Sequence, residues 1–249
     1  MGGRIAIAGK GGVGKSTIAA LLVRALHERT GKVVMAVDAD PNSNLGEKLG
    51  VKVERTIGDM REDLLKNADE VPVGQSKQEF VRYQMQLATI EGSSFDLLTM
   101  GRPEGPGCYC FINNILRTFI DQAMDKYDHI VIDNEAGLEH LSRRTTKSMD
   151  AFLVVSDNTK LGVETAERVL NLAQNMGIEI GRPTLVLNKV SSDVHPIVKD
   201  IVHASSFGHV VVLPFDREVE EASVEGKSLM ELPEANALYQ SVKRLASEL

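Results

Sequence analysis

The residues best equipped for chemistry open the chain. Gly9-Lys10-Gly11-Gly12-Val13-Gly14-Lys15-Ser16 stands between the apolar run Ile5-Ala6-Ile7-Ala8 and a helical pattern that begins near Thr17. Glycines let successive backbone N–H groups turn inward around an anion, and the helix that follows adds its orphan donors and positive end. In a G-x-x-x-x-G-K-S loop the lysine, here Lys15, reaches the β/γ-phosphates and the hydroxyl, here Ser16, ligates Mg²⁺; Gly11, Gly12, Val13, Gly14 and Thr17 complete the cradle. Gly9-x-Gly11-x-x-Gly14 also satisfies a dinucleotide fingerprint, with Asp38 near the place of its ribose-binding acid. A dinucleotide loop has no use for Lys-Ser at its helix start, so the longer motif favours a nucleoside triphosphate.

Acidic residues that end apolar runs are the natural metal partners of such a loop. His129-Ile130-Val131-Ile132-Asp133 ends in a carboxylate placed to hold Mg²⁺ through water. In Val37-Asp38-Ala39-Asp40-Pro41 the alternation of an extended chain points both carboxylates to one side, and Pro41 ends the strand. These two acids suit complementary duties: Asp38 near the Mg²⁺ shell and Asp40 orienting the attacking water.

The chain's only two cysteines form a second chemical stretch, Gly105-Pro106-Gly107-Cys108-Tyr109-Cys110. Thiolates two residues apart can present both sulfurs on one side of an extended segment, and they are soft ligands for zinc, copper(I) or nickel. A closed thiolate site wants four ligands, and two do not suffice. A two-fold dimer resolves the shortage by bringing two Cys-x-Cys pairs around one ion on its axis.

The elements that must position these groups alternate. Apolar β-rich runs at Arg4 to Ala8, Val33 to Val37, Phe95 to Thr99, His129 to Asp133, Ala151 to Val155, Pro183 to Asn188 and His209 to Leu213 read as strands. Helical patterns at Thr17 to Arg29, Ile112 to Lys126, Val163 to Asn175, Val194 to His203 and Ala235 to Leu249 lie between them. This predicts an α/β fold with a doubly wound, mostly parallel sheet flanked by helices. The polar, charged segment 51–91 breaks the rhythm and reads as a helical insertion, with one β run near Gln86 to Ile90.

With 249 residues, 43% hydrophobic, and no linker or internal repeat, the chain is expected to form one domain, 1–249. The net charge of −7 supplies no general basic footprint, so nucleic acid is not an expected partner. No apolar run approaches the roughly 18 residues of a membrane span, so the protein is expected to be cytoplasmic, without a membrane partner.

Lys10 within Gly-Lys-Gly-Gly-Val-Gly-Lys-Ser, together with Asp38-Ala39-Asp40-Pro41, resembles the deviant Walker A P-loop ATPases, which include the MinD and ParA positioning proteins, dinitrogenase reductase and metal-cluster maturation factors. The resemblance implies ATP/ADP and Mg²⁺ as cofactors, and a homodimer closed by ATP. It also implies that Lys10 contacts phosphate across the dimer interface. Lys10, Lys15 and Asp40 would then be the catalytic residues. It carries over as well to Leu187-Asn188-Lys189 and Pro214-Phe215-Asp216, where Asn188 would meet the adenine edge and Pro214 and Asp216 would wall its pocket.

Gly107-Cys108-Tyr109-Cys110, followed by Asn113-Asn114 and then by Asp133-Asn134-Glu135-Ala136-Gly137-Leu138-Glu139-His140, is similar to the CooC-type ATPases that serve carbon monoxide dehydrogenase, with a sibling serving acetyl-CoA synthase. That likeness implies an ATP-hydrolysing maturation factor that assists nickel insertion, with Ni²⁺ or Zn²⁺ on Cys108 and Cys110 at the dimer axis. Residues Glu135 to Gly137 would act as a switch after Asp133, although Asn134-Glu135 departs from the Asp-Thr-x-x-Gly of most relatives. Glu139 and His140 fit a solvated helix start better than a ligand role. The alternative function is a positioning ATPase that binds DNA or membrane. An iron–sulfur carrier is a third class, but the cysteines stand much closer together than in dinitrogenase reductase.

Overall fold

The computed structural model describes residues 3–66, 77–101, 118–123, 125–135 and 148–249. Eight strands form one sheet: β1 (Gly3–Gly9), β2 (Val34–Ala39), β3 (Ile90–Glu91), β4 (Phe95–Thr99), β5 (His129–Asn134), β6 (Ser148–Asp157), β7 (Glu179–Val190) and β8 (His209–Pro214). Their spatial order is β3-β4-β2-β5-β1-β6-β7-β8. All neighbours run parallel except the two-residue edge strand β3, which is antiparallel to β4. Residues Ile5 to Ala8 are buried on both faces of the sheet, which is why this strand reads as a continuous apolar run instead of alternating.

The helices are α1 (Lys15–Thr30), α2 (Leu45–Leu49), α3 (Ile57–Lys66), α4 (Lys77–Ala88), α5 (Lys160–Asn175), α6 (Pro196–Ala204), α7 (Arg217–Val224) and α8 (Ala237–Glu248); residues 118–123 are also helical. On one face of the sheet, Ile5, Ile7, Ala36, Leu97 and Val131 pack against α1, α2, α7 and α8. The other face carries two apolar clusters. Ala6, Ala8, Phe152 and Val154 meet α5 and α6, while Met35, Val37, Leu98 and Ile130 meet α3, α4 and residues 118–123.

The seven parallel strands fall where the apolar runs put them, with β6 and β7 extended beyond the expected Ala151 to Val155 and Pro183 to Asn188. The segment 51–91 is helical through α3 and α4, but the β run expected at Gln86 to Ile90 is not a strand over most of its length. Gln86 to Ala88 finish α4, and pairing begins only at Ile90. The expected helix Ile112 to Lys126 is described only at 118–123, followed by a turn at 125–126; residues 112–117 and 124 lie outside the described residues.

The amino ends of the strands are closed by Arg29. Its guanidinium donates to the Ala246 carbonyl near the end of α8 and to His129 Nε2 at 3.3 Å. Arginine can only donate, so Nε2 is the acceptor and the His129 proton sits on Nδ1, which is buried without a partner. Burial first, and the Arg29 charge second, push the His129 pKa down from its ordinary value. The unfolded chain therefore takes up a proton that the native ring resists, and this residue withdraws stability as pH falls through the ordinary histidine range. In chemical denaturation between pH 7.5 and 5.5, His129→Gln, which keeps an acceptor for Arg29, is expected to gain stability relative to the parent protein as the solution is acidified.

Candidate functional site

Parallel pairing brings the expected site together at the carboxyl end of the sheet, where β1 lies between β5 and β6. Gly9 is the point at which the chain leaves the sheet. With φ of 144° its added Cβ would lie 2.2 Å from the Val155 carbonyl oxygen on β6, so no side chain fits. Helix α1 begins after Gly14, whose φ of 97° is left-handed, and no side chain caps its first N–H groups. By contrast, Thr159, Asp216 and Asn236 cap α5, α7 and α8. The first turn of α1 thus keeps donors for an anion.

Asn188 ends its register pairing with Asp157 on β6 and closes the loop from the other side. Its Nδ2 donates 2.8 Å to the Val13 carbonyl, and a Cβ at Gly14 would lie 2.5 Å from that nitrogen. Since a carbonyl only accepts, the amide orientation is fixed. Asn188 Oδ1 is buried and has no partner. Asn188 therefore locks the loop and, as a residue lining the cleft, holds a buried acceptor that has no partner.

That cleft has a volume of about 610 Å³; Gly11, Gly12, Gly14, Lys15, Ser16 and Thr17 form its phosphate end and Asn188, Pro214 and Asp216 its far end. Val13 is buried beneath the loop. Lys15 is buried, with Nζ folded back 3.3 Å from the Lys10 carbonyl, an uncharged acceptor that a phosphate would outbid. The Lys10 side chain itself is exposed to solvent. The position suits a group that acts on a neighbouring molecule.

Asp38 and Asp133 pair in register on adjacent strands, and both are fully buried. Their environments differ. Asp38 accepts N–H groups from Asp40 at 3.1 Å and Leu45 at 2.9 Å, so its oxygens organise the turn after β2 and the start of α2. Burial and the nearby Asp133 charge raise its pKa to about 8 in spite of those bonds. Neither oxygen of Asp133 has a partner with full hydrogen-bond geometry. Burial lifts its pKa to about 7, opposed by the nearby Ser16 hydroxyl and the Lys15 ammonium. An unpaired, buried carboxylate beside the helix-start serine fits a Mg²⁺ shell completed by phosphate and water. Asp40 is buried at the cleft wall, and its Oδ1 accepts both amide groups of Asn42, at 2.8 and 2.9 Å.

Asp216 lines the cleft, where the sequence reading has it as part of the pocket wall. Its carboxylate caps α7 through Val219 N–H at 3.1 Å and accepts Asn236 Nδ2 at 3.0 Å, so its side chain serves the wall and not the ligand. Cys108 and Cys110 lie outside the described residues, as do Ala136, Gly137, Glu139 and His140. Among the described residues, no group of three His, Cys, Asp or Glu side chains is placed to hold a metal ion. Of the cleft residues that sequence reasoning did not assign, Phe215, Lys189 and Lys48 bear most directly on a ligand. Phe215 presents a half-exposed ring, Lys189 donates to Gly12 at 3.4 Å from a left-handed backbone, and Lys48 enters from α2. Phe215 and Lys189 belong to turns that the sequence had marked, whereas α2 is too short to leave a periodic signal.

Residues 5–229 match the model of the CobQ/CobB/MinD/ParA nucleotide binding domain. The chain belongs to that family. It is 42% identical to an uncharacterized ATP-binding protein of Methanocaldococcus jannaschii, covering 98% of this chain and 97% of the relative. It is 31% identical to the carbon monoxide dehydrogenase accessory protein CooC of Rhodospirillum rubrum, covering 93% and 91% respectively. The fold is that of the cell division ATPase MinD of Pyrococcus furiosus, with a TM-score of 0.73, 25% identity, and coverage of 100% and 98%. The doubly wound P-loop architecture expected from the sequence is therefore the observed one, and the family is one of ATP-binding ATPases.

Asp133→Asn removes the unpaired charge at nearly constant volume. In the nucleotide-free protein at pH 8 it is expected to add on the order of 1 kcal/mol of stability, because a buried charge that Ser16 and Lys15 only partly offset is lost. In the same variant Mg²⁺-dependent ATP turnover should fall by about 100-fold or more. Thermal denaturation paired with phosphate-release kinetics checks both signs.

Proposed function

We propose that this protein is an ATP-hydrolysing maturation factor whose nucleotide-dependent homodimer assists nickel insertion into carbon monoxide dehydrogenase or acetyl-CoA synthase. The observation that carries the reading is the likeness to CooC along nearly the whole chain, joined to a Cys-x-Cys pair in a glycine-proline loop. In this reading the α1 start, Lys15 and Ser16 hold the β/γ-phosphates, while Asp133 and Ser16 hold Mg²⁺. Asp38 supports that shell by fixing the Asp40 turn, from which Asp40 orients the attacking water. Lys10, exposed beside the loop, reaches the partner's nucleotide, where an added cation on developing phosphoryl charge is worth ~10³ to 10⁵ in rate.

The adenine reading rests on Asn188 Oδ1. A buried, unused acceptor on a residue that lines the cleft suits the exocyclic amine of adenine and opposes the carbonyl oxygen of guanine. Phe215 and Pro214 then supply the apolar wall against which a base stacks.

The cargo is Ni²⁺ or Zn²⁺ held by Cys108 and Cys110 from both subunits. Four thiolates on the two-fold axis would make metal occupancy and ATP-driven closure mutually dependent.

A positioning ATPase is the second reading, favoured by the likeness to MinD. A membrane-directed member of that class needs a free amphipathic face. Here Leu238, Tyr239, Val242, Leu245 and Ala246 of α8 are buried in the cluster with α1. No helix among the described residues is long and apolar enough to cross a membrane.

Cys108→Ala is expected to abolish stoichiometric nickel binding, measured by equilibrium dialysis with ATP, while leaving ATP binding intact. Undiminished nickel binding in that variant would sink the metal reading, and DNA-stimulated turnover that fades with salt would favour the positioning reading. Lys10→Ala should retain ATP binding yet lose about 1,000-fold in turnover.

A further inference from the structure

The lysines of the nucleotide cleft share a property that points past the phosphate loop. Lys15, Lys48 and Lys189 all line it. Each ammonium rests on an uncharged oxygen: Lys15 on the Lys10 carbonyl, Lys189 on the Gly12 carbonyl, and Lys48 on Ser223 Oγ at 3.5 Å. Two of them belong to the loop side. Lys48 alone enters from α2.

Its backbone is firmly placed. The Lys48 carbonyl accepts the Leu229 N–H at 2.8 Å, and the neighbouring Gly50 packs so closely on Ser228 that a Cβ would meet its hydroxyl at 2.7 Å. Leu45, Gly46 and Leu49 are buried beneath it. Only the half-exposed side chain is free to turn, and its contact with Ser223 sits at the limit of hydrogen-bond distance, so little is lost in leaving it. The ammonium is also near enough to Asp133 to oppose, in part, the rise in that group's pKa, which places its charge within range of the phosphate and metal end of the cleft.

We infer that Lys48 is a further nucleotide-binding residue: its ammonium leaves Ser223 and bonds the phosphate chain of the bound nucleotide from the α2 wall. The anion is thereby gripped from two sides, by the α1 start and Lys15 on one and by Lys48 on the other. Because α2 follows directly from the Asp40 turn, this contact also ties the water-orienting segment to the presence of phosphate. The inference rests on the nucleotide cleft and not on the nickel reading, and its test needs no metal other than Mg²⁺.

Lys48→Met keeps the aliphatic stem and removes the charge. Titrated with fluorescent analogues of ATP, ADP and adenosine, this variant is expected to bind both nucleotides about tenfold more weakly and adenosine unchanged. The deficit should shrink as salt is raised. Lys48→Gln provides the same reading should the methionine variant be unstable. Ser223→Ala separates a ligand contact from a cross-link between α2 and α7, and it is expected not to reproduce the nucleotide deficit. Unchanged nucleotide affinity in both Lys48 variants would overturn the inference. So would an equal loss for adenosine and nucleotides, or a matching deficit in Ser223→Ala.

Discussion

Two carboxylates set side by side at the carboxyl end of the sheet, Asp38 on β2 and Asp133 on β5, impose the constraint on which the rest of the site depends. Their register brings two carboxylates together at fully buried positions, and burial raises both pKa values far above the usual carboxylate range. The fold answers the two charges differently. Asp38 is satisfied from within, by backbone donors that in return fix the Asp40 turn and the start of α2. Asp133 is left without a full hydrogen-bond partner, beside Ser16 and Lys15, which only partly offset the rise in its pKa. The cost of holding an unpaired carboxylate ready is the usual exchange of stability for function at a preorganised site.

The loop that receives the phosphates is held with similar economy. Asn188 donates from Nδ2 to the Val13 carbonyl, which locks the loop and leaves Oδ1 buried without a partner. Gly9 and Gly14 are required by approach distances to Val155 and Asn188 as much as by their backbone angles. One side chain from β7 thus sets the loop's shape and the polarity of the far pocket together. Lys15 and Lys189 rest on loop carbonyls, so both cations are already stationed at the cleft before any nucleotide enters.

The parts of this architecture that could be read in the sequence are those with a local physical signature. Ile5 to Ala8 and Ile130 to Ile132 are apolar on both faces, so they announce buried parallel strands, and the glycine-lysine-serine loop announces its own chemistry. Asp133 was legible because it ends such a strand. Other features depend on distant partners and leave no local trace. That Asp216 caps α7 and bonds Asn236 follows from the way α8 returns to α1, and the five-residue α2 is stabilised by Asp38 and by Leu229 instead of by its own periodicity. The strand expected at Gln86 to Ile90 failed for a related reason: Ala88 completes the buried face of α4, with Leu87 on its exposed side, before pairing begins at Ile90.

A P-loop ATPase of the MinD/ParA family, with its signature lysine exposed beside the loop and its paired thiols elsewhere in the chain, acquires a coherent purpose if two copies close around ATP and a metal ion together. The most direct measurement is native mass spectrometry of the intact protein with ADP or ATP and added Ni²⁺. Monomers are expected with ADP, and with ATP a dimer that carries two nucleotides and one nickel ion. Nickel bound in equal amount to ADP-loaded monomers, or an ATP-bound dimer that takes up none, would contradict such joint closure.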